Sequence, residues 1–368
     1  MKISKKIQAL ILVGAIGATF LTGCSSSKSD DKDSAKGDSD YTIKVGYYNC
    51  DHMTAAPVAV EAGIYEELGL DVEVVGNGKV PEAMAAGQMD AGYIGTKGLV
   101  GAIPKGSPIV VAANNHKGGS EYLVVANDIE KPEDLIGKKI ASDPEGDLLW
   151  TTDYGPETGL TVDNSKYEVV NMDSSKDAYL ALKTGQISGF STCDPWGSVA
   201  EIDGVGKIIA STQHKEESTG KEFNCCSFSL NTNFIKNQPE LAKKLVLAHT
   251  KAIQYIYTNP VKSAKIFAEA YSVDEEVALM TIYKKTVGEG RTLTWTITGE
   301  EYKNNLEMYK KYKVFDEIPS YDEVVNDEIL KSSGADDFDT FIKEKVDNVF
   351  PEGMSYEEWK EKAMEIDA

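Results

Sequence analysis

The sequence is short of positive charge. It contains 38 lysine and arginine residues against 59 aspartate and glutamate residues, which gives a formal net charge of -21 at pH 7. Nucleic-acid binding needs a basic surface, because much of the affinity comes from neutralising phosphates, so this class of function is excluded. The same acidity opposes adsorption to anionic lipid, and any attachment to a membrane must therefore use something other than surface charge.

Several motifs that indicate enzymes are also missing from the sequence. It contains no HExxH zinc-protease motif, no phosphate-binding glycine loop and no GxSxG nucleophile motif. The five cysteines include no CxxC pair and no zinc-finger spacing, and the adjacent Cys225 and Cys226 are poor partners for a disulfide. A chain of 368 residues can bury a sufficient core without a disulfide framework.

The N-terminus has the features of a lipoprotein signal in the expected order. Three lysines among the first six residues precede an apolar run over residues 7–21 that is short for a permanent membrane span. The run leads into Leu21-Thr22-Gly23-Cys24, which resembles a bacterial lipoprotein processing site. We therefore expect a signal peptide over residues 1–23 and a lipid on Cys24, and loss of three lysines makes the mature charge -24 (-21 minus 3). The alternatives are an ordinary signal peptide and a single membrane helix with a chance cysteine.

Composition divides the rest of the chain into a tether and a body. Residues 24–40 are rich in serine, lysine and aspartate and lack large apolar side chains, so we expect a disordered tether after the lipid. The body that follows is long for one domain and natural for two. We predict the first part of lobe 1 over residues 41–125, lobe 2 over residues 126–222, and a return to lobe 1 with a helical C-terminal region over residues 223–368.

Short β-rich runs alternate with helical patterns along the body, which indicates an α/β fold with mostly parallel sheets. The predicted strands are 41–48, 71–75, 91–94, 109–113, 139–142, 167–171, 187–192, 207–211 and 225–230. Helices are predicted to begin near Thr54, Val80, Thr96, Asp147, Lys176 and Pro239. From Asn231 onward the pattern is mostly helical.

Two segments of the body resemble each other. Residues 83–90 and 181–188 each contain the end of a helix, a glycine that stops it, a glutamine and the start of a strand. The similarity predicts two equivalent lobes, with a chance helix–glycine–strand repeat as the alternative. In equivalent lobes, Gly95-Thr96 and Cys193-Asp194 lie at matching carboxyl ends of strands, which is the edge where open α/β sheets bind ligands.

Several segments that keep their order and spacing resemble those of a known family. They are residues 43–47, 62–72, 86–92, 134–141 and 185–196. Together they resemble the solute-binding proteins of nitrate, sulfonate, taurine and thiamine-precursor importers, over essentially the whole mature body. At Ser188 the family often has an acidic residue instead, which puts an ionic role there in doubt.

The resemblance implies a two-lobed type II periplasmic-binding-protein-like fold. Each lobe is then a mixed, mostly parallel sheet flanked by helices, and two chain crossings join the lobes. A solute bound between the lobes closes them by a hinge motion, and the closed form delivers the solute to a permease. The resemblance implies no cofactor, no resident metal and no catalytic residue.

The loops at the predicted strand ends supply candidate ligand contacts. Such loops and helix N-termini have free N–H groups that suit anionic and acceptor groups of a ligand. The candidates are Asn49, Cys50, Asp51, His52, Met53, Gly95, Thr96, Asn115, His116, Ser142, Asp143, Glu145, Cys193, Asp194, Trp196, Cys225 and Cys226. Trp196 either stacks on a planar ligand or packs at the start of a helix, and the polar residues have helix capping as their ordinary role.

All four cysteines of the body fall in these predicted cleft segments. Free cysteine commonly serves as a small buried hydrophobe, which is one interpretation of the pattern. The other is that the thiols, with His52 and Met53, contact a soft metal or a metal-bearing ligand.

The residues and the resemblance together predict a non-enzymatic binding protein, anchored by lipid on the extracellular face of the cell membrane. Its predicted partners are a small-molecule ligand and the permease and ATPase subunits of an ABC importer. The loops mix acidic and basic side chains, so they do not choose between a sulfonate- or nitrate-type anion and a pyrimidine- or thiamine-precursor-like heterocycle. The alternatives are an enzyme on the same fold related to thiamine-pyrimidine synthesis, a soft-metal binder, and a surface receptor without a transported ligand.

Overall fold

The structure is a computed structural model that describes the body of the chain with several gaps. The described residues are 41–48, 50–76, 79–118, 121–141, 150–154, 158–159, 167–212, 215–216 and 219–368. The predicted signal peptide, Cys24 and the tether lie outside these residues, as do Asn49, Ser142, Asp143, Glu145 and the predicted helix start at Asp147. No helix within the described ranges has the length and apolar character needed to cross a membrane.

The strands form two five-stranded sheets and one short hairpin. They are β1 (Thr42–Tyr47), β2 (Asp71–Gly76), β3 (Ala91–Gly95), β4 (Ile109–Lys117), β5 (Glu121–Ala126), β6 (Lys139–Ala141), β7 (Glu168–Val170), β8 (Gly189–Cys193), β9 (Gly206–Ser211), β10 (Lys215–Glu216), β11 (Lys221–Glu222) and β12 (Asn224–Asn231). The first sheet has the order β2-β1-β3-β12-β4, and the second has the order β7-β6-β8-β5-β9.

The two sheets share one topology. In the first sheet β1 is parallel to β2 and β3, while β12 is antiparallel to β3 and β4. In the second sheet β6 is parallel to β7 and β8, while β5 is antiparallel to β8 and β9. The central strands β3 and β8 are therefore equivalent, as the internal similarity predicted.

The second sheet begins earlier in the chain than the sequence prediction placed lobe 2. Strand β5 lies between β8 and β9, although the prediction ended the first part of lobe 1 at residue 125. The four central residues of β5, Tyr-Leu-Val-Val, are all buried. An apolar run that is covered on both faces belongs inside a sheet, so the chain crosses between the sheets from β4 to β5. It returns at β12.

Helices cover the sheets and build the C-terminal region. They are α1 (Ala55–Glu61), α2 (Ile64–Glu67), α3 (Val80–Ala85), α4 (Thr96–Ala102), α5 (Ser175–Lys183), α6 (Trp196–Ile202), α7 (Thr232–Asn237), α8 (Pro239–Thr258), α9 (Pro260–Tyr271), α10 (Glu275–Thr286), α11 (Gly299–Lys311), α12 (Tyr321–Val324), α13 (Glu328–Ser332), α14 (Phe338–Phe341) and α15 (Tyr356–Asp367). Single turns occur at Asp51–Met53, Ile103–Lys105 and Pro132–Leu135, and wider π-type turns at Trp150–Tyr154 and Ile342–Val346.

The C-terminal helices complete the first lobe. Trp359 on α15 belongs to the same buried core as Ile43 on β1 and Leu245 on α8. Helix α10 packs against α9 on this side and also contacts α6 of the second lobe. Helix α10 therefore connects the two lobes near the strand ends that form the candidate site.

Candidate ligand-binding site

The turn after β1 and the turn after β8 meet between the two sheets. Asp51 begins the turn Asp51–Met53, and Asp194 follows the last residue of β8. The backbone N–H of Asp51 donates a hydrogen bond of 3.1 Å to the carbonyl oxygen of Asp194. Carboxyl ends of strands from both lobes therefore face each other, where open α/β sheets bind ligands.

A buried ion pair connects helix α10 to the turn after β1. Lys285 Nζ lies 2.5 Å from Asp51 Oδ2 and 3.0 Å from His116 Nε2, and all three side chains are buried. An ammonium group has only donors, so His116 is neutral and accepts through Nε2. Burial raises the pKa of Asp51 to about 7, against the opposing attraction of Lys285. Burial by itself lowers the pKa of Lys285, but the carboxylates of Asp51 and Glu289 outweigh it and the net shift is upward.

His52 brings an imidazole nitrogen to two thiols. Its ring stacks on that of His116 with 4.0 Å between centroids. The Nδ1 atom of His52 lies 3.4 Å from the Sγ atoms of both Cys225 and Cys226, and these Sγ atoms are 3.3 Å apart. Successive side chains of a regular strand point to opposite faces. Irregular register between β12 and β4 on both sides of Cys226 removes that alternation, so both thiols reach His52.

A second pair of thiols spans the two lobes. The Cys50 thiol donates a hydrogen bond of 3.4 Å to Asp51 Oδ1 and lies beside the thiol of Cys193. Their Sγ atoms and a carboxylate oxygen of Asp51 all lie within 4.8 Å of one another. Burial raises the pKa of Cys50 well above its usual value, so this residue is a thiol rather than a thiolate.

Amide side chains hold the turn and the neighbouring strands together. Asn115 Nδ2 donates a hydrogen bond of 2.6 Å to the carbonyl oxygen of His52. Asn224 Nδ2 donates to Asn114 Oδ1, and Thr96 Oγ1 donates to Asn224 Oδ1 at 2.5 Å. All of these side chains are buried. Asn115 therefore orients the backbone of the turn, and Thr96 holds the side chain of Asn224.

Asp194 joins three structural elements. Its carboxylate accepts hydrogen bonds from the N–H and the hydroxyl of Ser198, each at 2.8 Å, at the start of α6. It also accepts a hydrogen bond of 3.4 Å from the Thr281 hydroxyl, and Lys284 Nζ lies 3.7 Å away. Thr281 and Lys284 belong to α10, so Asp194 links the second lobe to that helix.

The other predicted residues within the described ranges lie in different surroundings. Met53 is buried in the core of the first lobe. Gly95 ends β3, where an added Cβ would lie 3.4 Å from the Tyr48 hydroxyl. The Trp196 ring packs on Tyr179 with 5.5 Å between centroids, in the core of the second lobe. This contact corresponds to the packing role that the sequence left open for Trp196.

Some residues of the site were not predicted from the sequence. They are Tyr122 on β5 and, after α9, Lys284, Lys285 and Glu289. Tyr122 donates a hydrogen bond of 2.7 Å to Glu289, and its ring centroid lies 4.6 Å from Lys284 Nζ. Lys284 and Lys285 are adjacent in a helix, a pattern typical of a solvated face. No local signal marks Lys285 as buried, because only the tertiary fold brings it to Asp51.

The assembled group brings polar side chains of both lobes to one place. It combines imidazole, thiol and amide groups, and its lysines are paired with carboxylates. The chain around it also has recognisable relatives. The model of the NMT1-like family matches residues 36–271.

The chain belongs to the NMT1-like family. One relative is the taurine-binding periplasmic protein of Escherichia coli K12, which is 28% identical to this NMT1-like chain over 185 residues. That match covers 49% of this chain and 55% of the E. coli protein. The NMT1-like chain thus spans about half of that relative.

Two solved structures show that the NMT1-like chain has a two-lobed periplasmic-binding-protein fold. The periplasmic nitrate-binding protein NrtA from Synechocystis PCC 6803 has a TM-score of 0.63 and 16% identity, covering 89% of this chain and 98% of that chain. The periplasmic aliphatic sulphonate binding protein SsuA from Escherichia coli has a TM-score of 0.61 and 14% identity, covering 77% and 92%. The predicted fold class is confirmed. Both of these structures are of binding proteins.

Proposed function

We propose that the protein captures a small solute between its lobes and delivers it to the permease of an ATP-driven importer. The hydrogen bond between the turns of Asp51 and Asp194 carries the proposal, because it places strand ends of both lobes at one point. A ligand that contacts both turns binds the closed form more tightly than the open form, and this difference in affinity drives closure. The closed form then docks on the permease.

The proposal places the protein on the extracellular face of the membrane through a lipid on Cys24. The segment 21–24 has the residue types of a lipoprotein processing site. Mass spectrometry of the protein from washed membranes tests this, with an acylated N-terminal cysteine as the expected result. The variant Cys24→Ser is expected to leave the membrane fraction, and retention of this variant would contradict the anchor.

The charges of the site favour a neutral planar heterocycle over a free anion. Lys284 lies 3.7 Å from Asp194 and 3.6 Å from Glu201, and Lys285 is paired with Asp51. An incoming anion would compete with these carboxylates for both cations. Imidazole and amide groups instead offer the mixed donors and acceptors that a pyrimidine-type ring uses. Sulfonates and nitrate are the alternatives that the relatives supply.

A thermal-shift screen of pyrimidines, flavins, taurine, alkanesulfonates and nitrate tests the proposal. Binding to the native state raises the melting temperature by mass action, and a pyrimidine is the expected ligand. The bound protein should also be more compact in small-angle scattering. A screen without any shift would contradict solute capture. Recovery of the ligand unchanged after a single-turnover incubation is expected, whereas a product would favour the enzyme alternative.

A soft metal ion is a second candidate ligand, because His52, Cys225 and Cys226 form a compact donor set. Their donor atoms are separated by 3.3–3.4 Å. Zinc bonds of about 2.0–2.3 Å in a tetrahedron give donor separations of about 3.5–3.8 Å, so small shifts would complete three ligand positions. Thiolate and imidazole ligands suit Zn²⁺ and Cu⁺.

Equilibrium dialysis of reduced protein against micromolar Zn²⁺, Co²⁺ and Cu⁺ tests this candidate. We expect one bound ion per chain, lost in Cys225→Ser and kept in Cys193→Ser, which removes a thiol outside the set. No uptake by the reduced protein would eliminate the metal candidate and leave the solute proposal standing.

A further inference from the structure

Cys50 and Cys193 bring one thiol from each lobe to the same place. Cys50 precedes the turn after β1 in the first lobe, and Cys193 ends β8 in the second. Their Sγ atoms lie within 4.8 Å of each other. Both cysteines are free.

A backbone hydrogen bond holds the two segments together, because the Asp51 N–H donates to the Asp194 carbonyl oxygen at 3.1 Å. Asp51 and Asp194 each follow one of the two cysteines directly, so this bond keeps the two thiols close to each other. The Sγ atoms of a disulfide lie about 2.05 Å apart, so the two side chains must approach each other within this contact. Cys225 and Cys226 are adjacent in sequence and are poor partners by comparison.

We infer that Cys50 and Cys193 form a reversible disulfide that joins the two lobes and holds the cleft closed. The inference rests on the proposed function for the lobe motion and for the extracellular location, where disulfides form and persist. The pairing itself rests on the geometry. A bridged protein keeps a solute that is already bound and admits no new one, so the redox state outside the cell sets the fraction of protein available for capture.

A small-molecule disulfide supplies the oxidising power. Cys193 is partly exposed and Cys50 is buried, so Cys193 reacts first. Its thiolate attacks one sulfur of the small disulfide, which forms a mixed disulfide and releases one small thiol. The Cys50 thiol then loses its proton, attacks the Cys193 sulfur and releases the second small thiol. Two cysteine thiols are oxidised, the small disulfide is reduced to two thiols, and the two cysteine protons pass to the two leaving thiolates.

Thiol counting and peptide mapping test the pairing. The full chain with Cys24→Ser retains the four thiols of the body. After reduction and exposure to oxidised glutathione, we expect the count to fall from four to two and a non-reduced digest to contain one peptide pair joined through Cys50 and Cys193. Cys193→Ser should abolish the joined peptides, whereas Cys225→Ser should keep them. An oxidised protein bridged at Cys225–Cys226, or with four thiols remaining, overturns the inference.

Closure is measured by the alkylation rate of Cys225, which lies on the first lobe near the interlobe turns. With the oxidant removed, iodoacetamide should modify Cys225 about tenfold more slowly in the bridged protein than in the reduced protein, because opening is suppressed. In Cys193→Ser, treatment with the oxidant should leave this rate unchanged. An equal rate in bridged and reduced protein refutes the closed state.

These results are separable from those of the proposed function. If reduced protein binds a solute in the thermal-shift screen but forms no Cys50–Cys193 bridge, the disulfide inference alone fails. If the bridge forms and closes the cleft but no solute in the screen binds, the proposed function fails and the redox-controlled closure stands.

Discussion

The ammonium nitrogen of Lys285 lies 2.5 Å from a carboxylate oxygen of Asp51, and neither side chain has exposed surface. Lys285 belongs to α10, and Asp51 begins the turn after β1. Removing two charges from water is costly, so each of these groups depends on the other. Helix α10 also contacts the second lobe, and the pair thereby fixes the turn of the candidate site relative to the helix that connects the lobes.

We predict that Lys285→Met destabilises the protein strongly, because it leaves Asp51 buried without its cation. The free energy of unfolding should fall by about 3–5 kcal/mol in urea denaturation at pH 7. Lys331→Met is the matched control, because Lys331 pairs with Asp327 and Glu328 at the surface. Its effect should stay below about 1 kcal/mol.

The double variant Lys285→Met with Asp51→Asn separates the ion pair from simple packing. Once neither charge is buried, at least half of the lost stability should return. A loss in Lys285→Met no larger than in the Lys331 control would show that the pair contributes little. The same conclusion would follow if the double variant lost as much unfolding free energy as the two single variants lose together.

Tyr122→Phe should shift the protein toward its open form. The Tyr122 hydroxyl donates 2.7 Å to Glu289, and the loss of one such hydrogen bond is worth about 1 kcal/mol, or a factor of about 5 in the open–closed equilibrium. We expect a larger radius of gyration in small-angle scattering and faster alkylation of Cys225 by a similar factor. Tyr41→Phe is the control, because its bond to Asp90 at 2.7 Å lies within the first lobe. Equal alkylation rates of Cys225 in the two variants would show that Tyr122 does not stabilise the contact between the lobes.

Gly197→Ala should disturb the same contact from the side of α6. An added Cβ at Gly197 would lie 2.5 Å from Tyr122 Cδ2 and 3.0 Å from Asp194 Oδ1, so the buried tyrosine ring must move. Overpacking of this kind costs about 1–3 kcal/mol of unfolding free energy. Gly98→Ala on α4 is the matched control, since its Cβ would meet Ile94 at an ordinary 3.9 Å. Urea denaturation that ranks Gly98→Ala as the less stable variant would contradict the prediction.

The sequence predicted the strand-end segments of the site but not the contacts that join them. Local patterns mark β3 and β8, because a glycine-stopped helix precedes each strand. The pattern before β8 placed the Cys193 segment at a sheet edge, and the predicted first strand placed the Cys50 segment at one. Strand β5 was missed although turn residues flank its short apolar run, with Gly118-Gly119-Ser120 before it and Asn127-Asp128 after it. Lys285 is 234 residues from Asp51 in the chain, and only the packing of α10 brings them together.

His249 should make the protein less stable in mild acid. Its Nε2–H donates 2.7 Å to the Asn114 carbonyl, and its Nδ1 accepts from the Tyr93 hydroxyl at 3.2 Å, which requires the neutral ring. Burial lowers the pKa of His249 from 6.5 to about 4. Between these two pKa values the unfolded chain is protonated at His249 and the folded protein is not. The free energy of unfolding therefore has its full value above pH 6.5 and decreases as the pH falls toward 4.

The shift of the His249 pKa from 6.5 to about 4 corresponds to about 3 kcal/mol. The free energy of unfolding should decrease by this amount between pH 6.5 and pH 4 through His249 alone. His249→Gln keeps a donor and an acceptor but cannot titrate. Urea denaturation at pH values spanning this range should give the variant a pH dependence that is flatter by that amount. Folding raises the pKa of Asp51, so its effect on stability is opposite to that of His249. The effect is the same in the wild-type protein and in His249→Gln, and it cancels when the two are compared. Parallel stability curves for the two proteins would mean that His249 does not resist protonation in the fold.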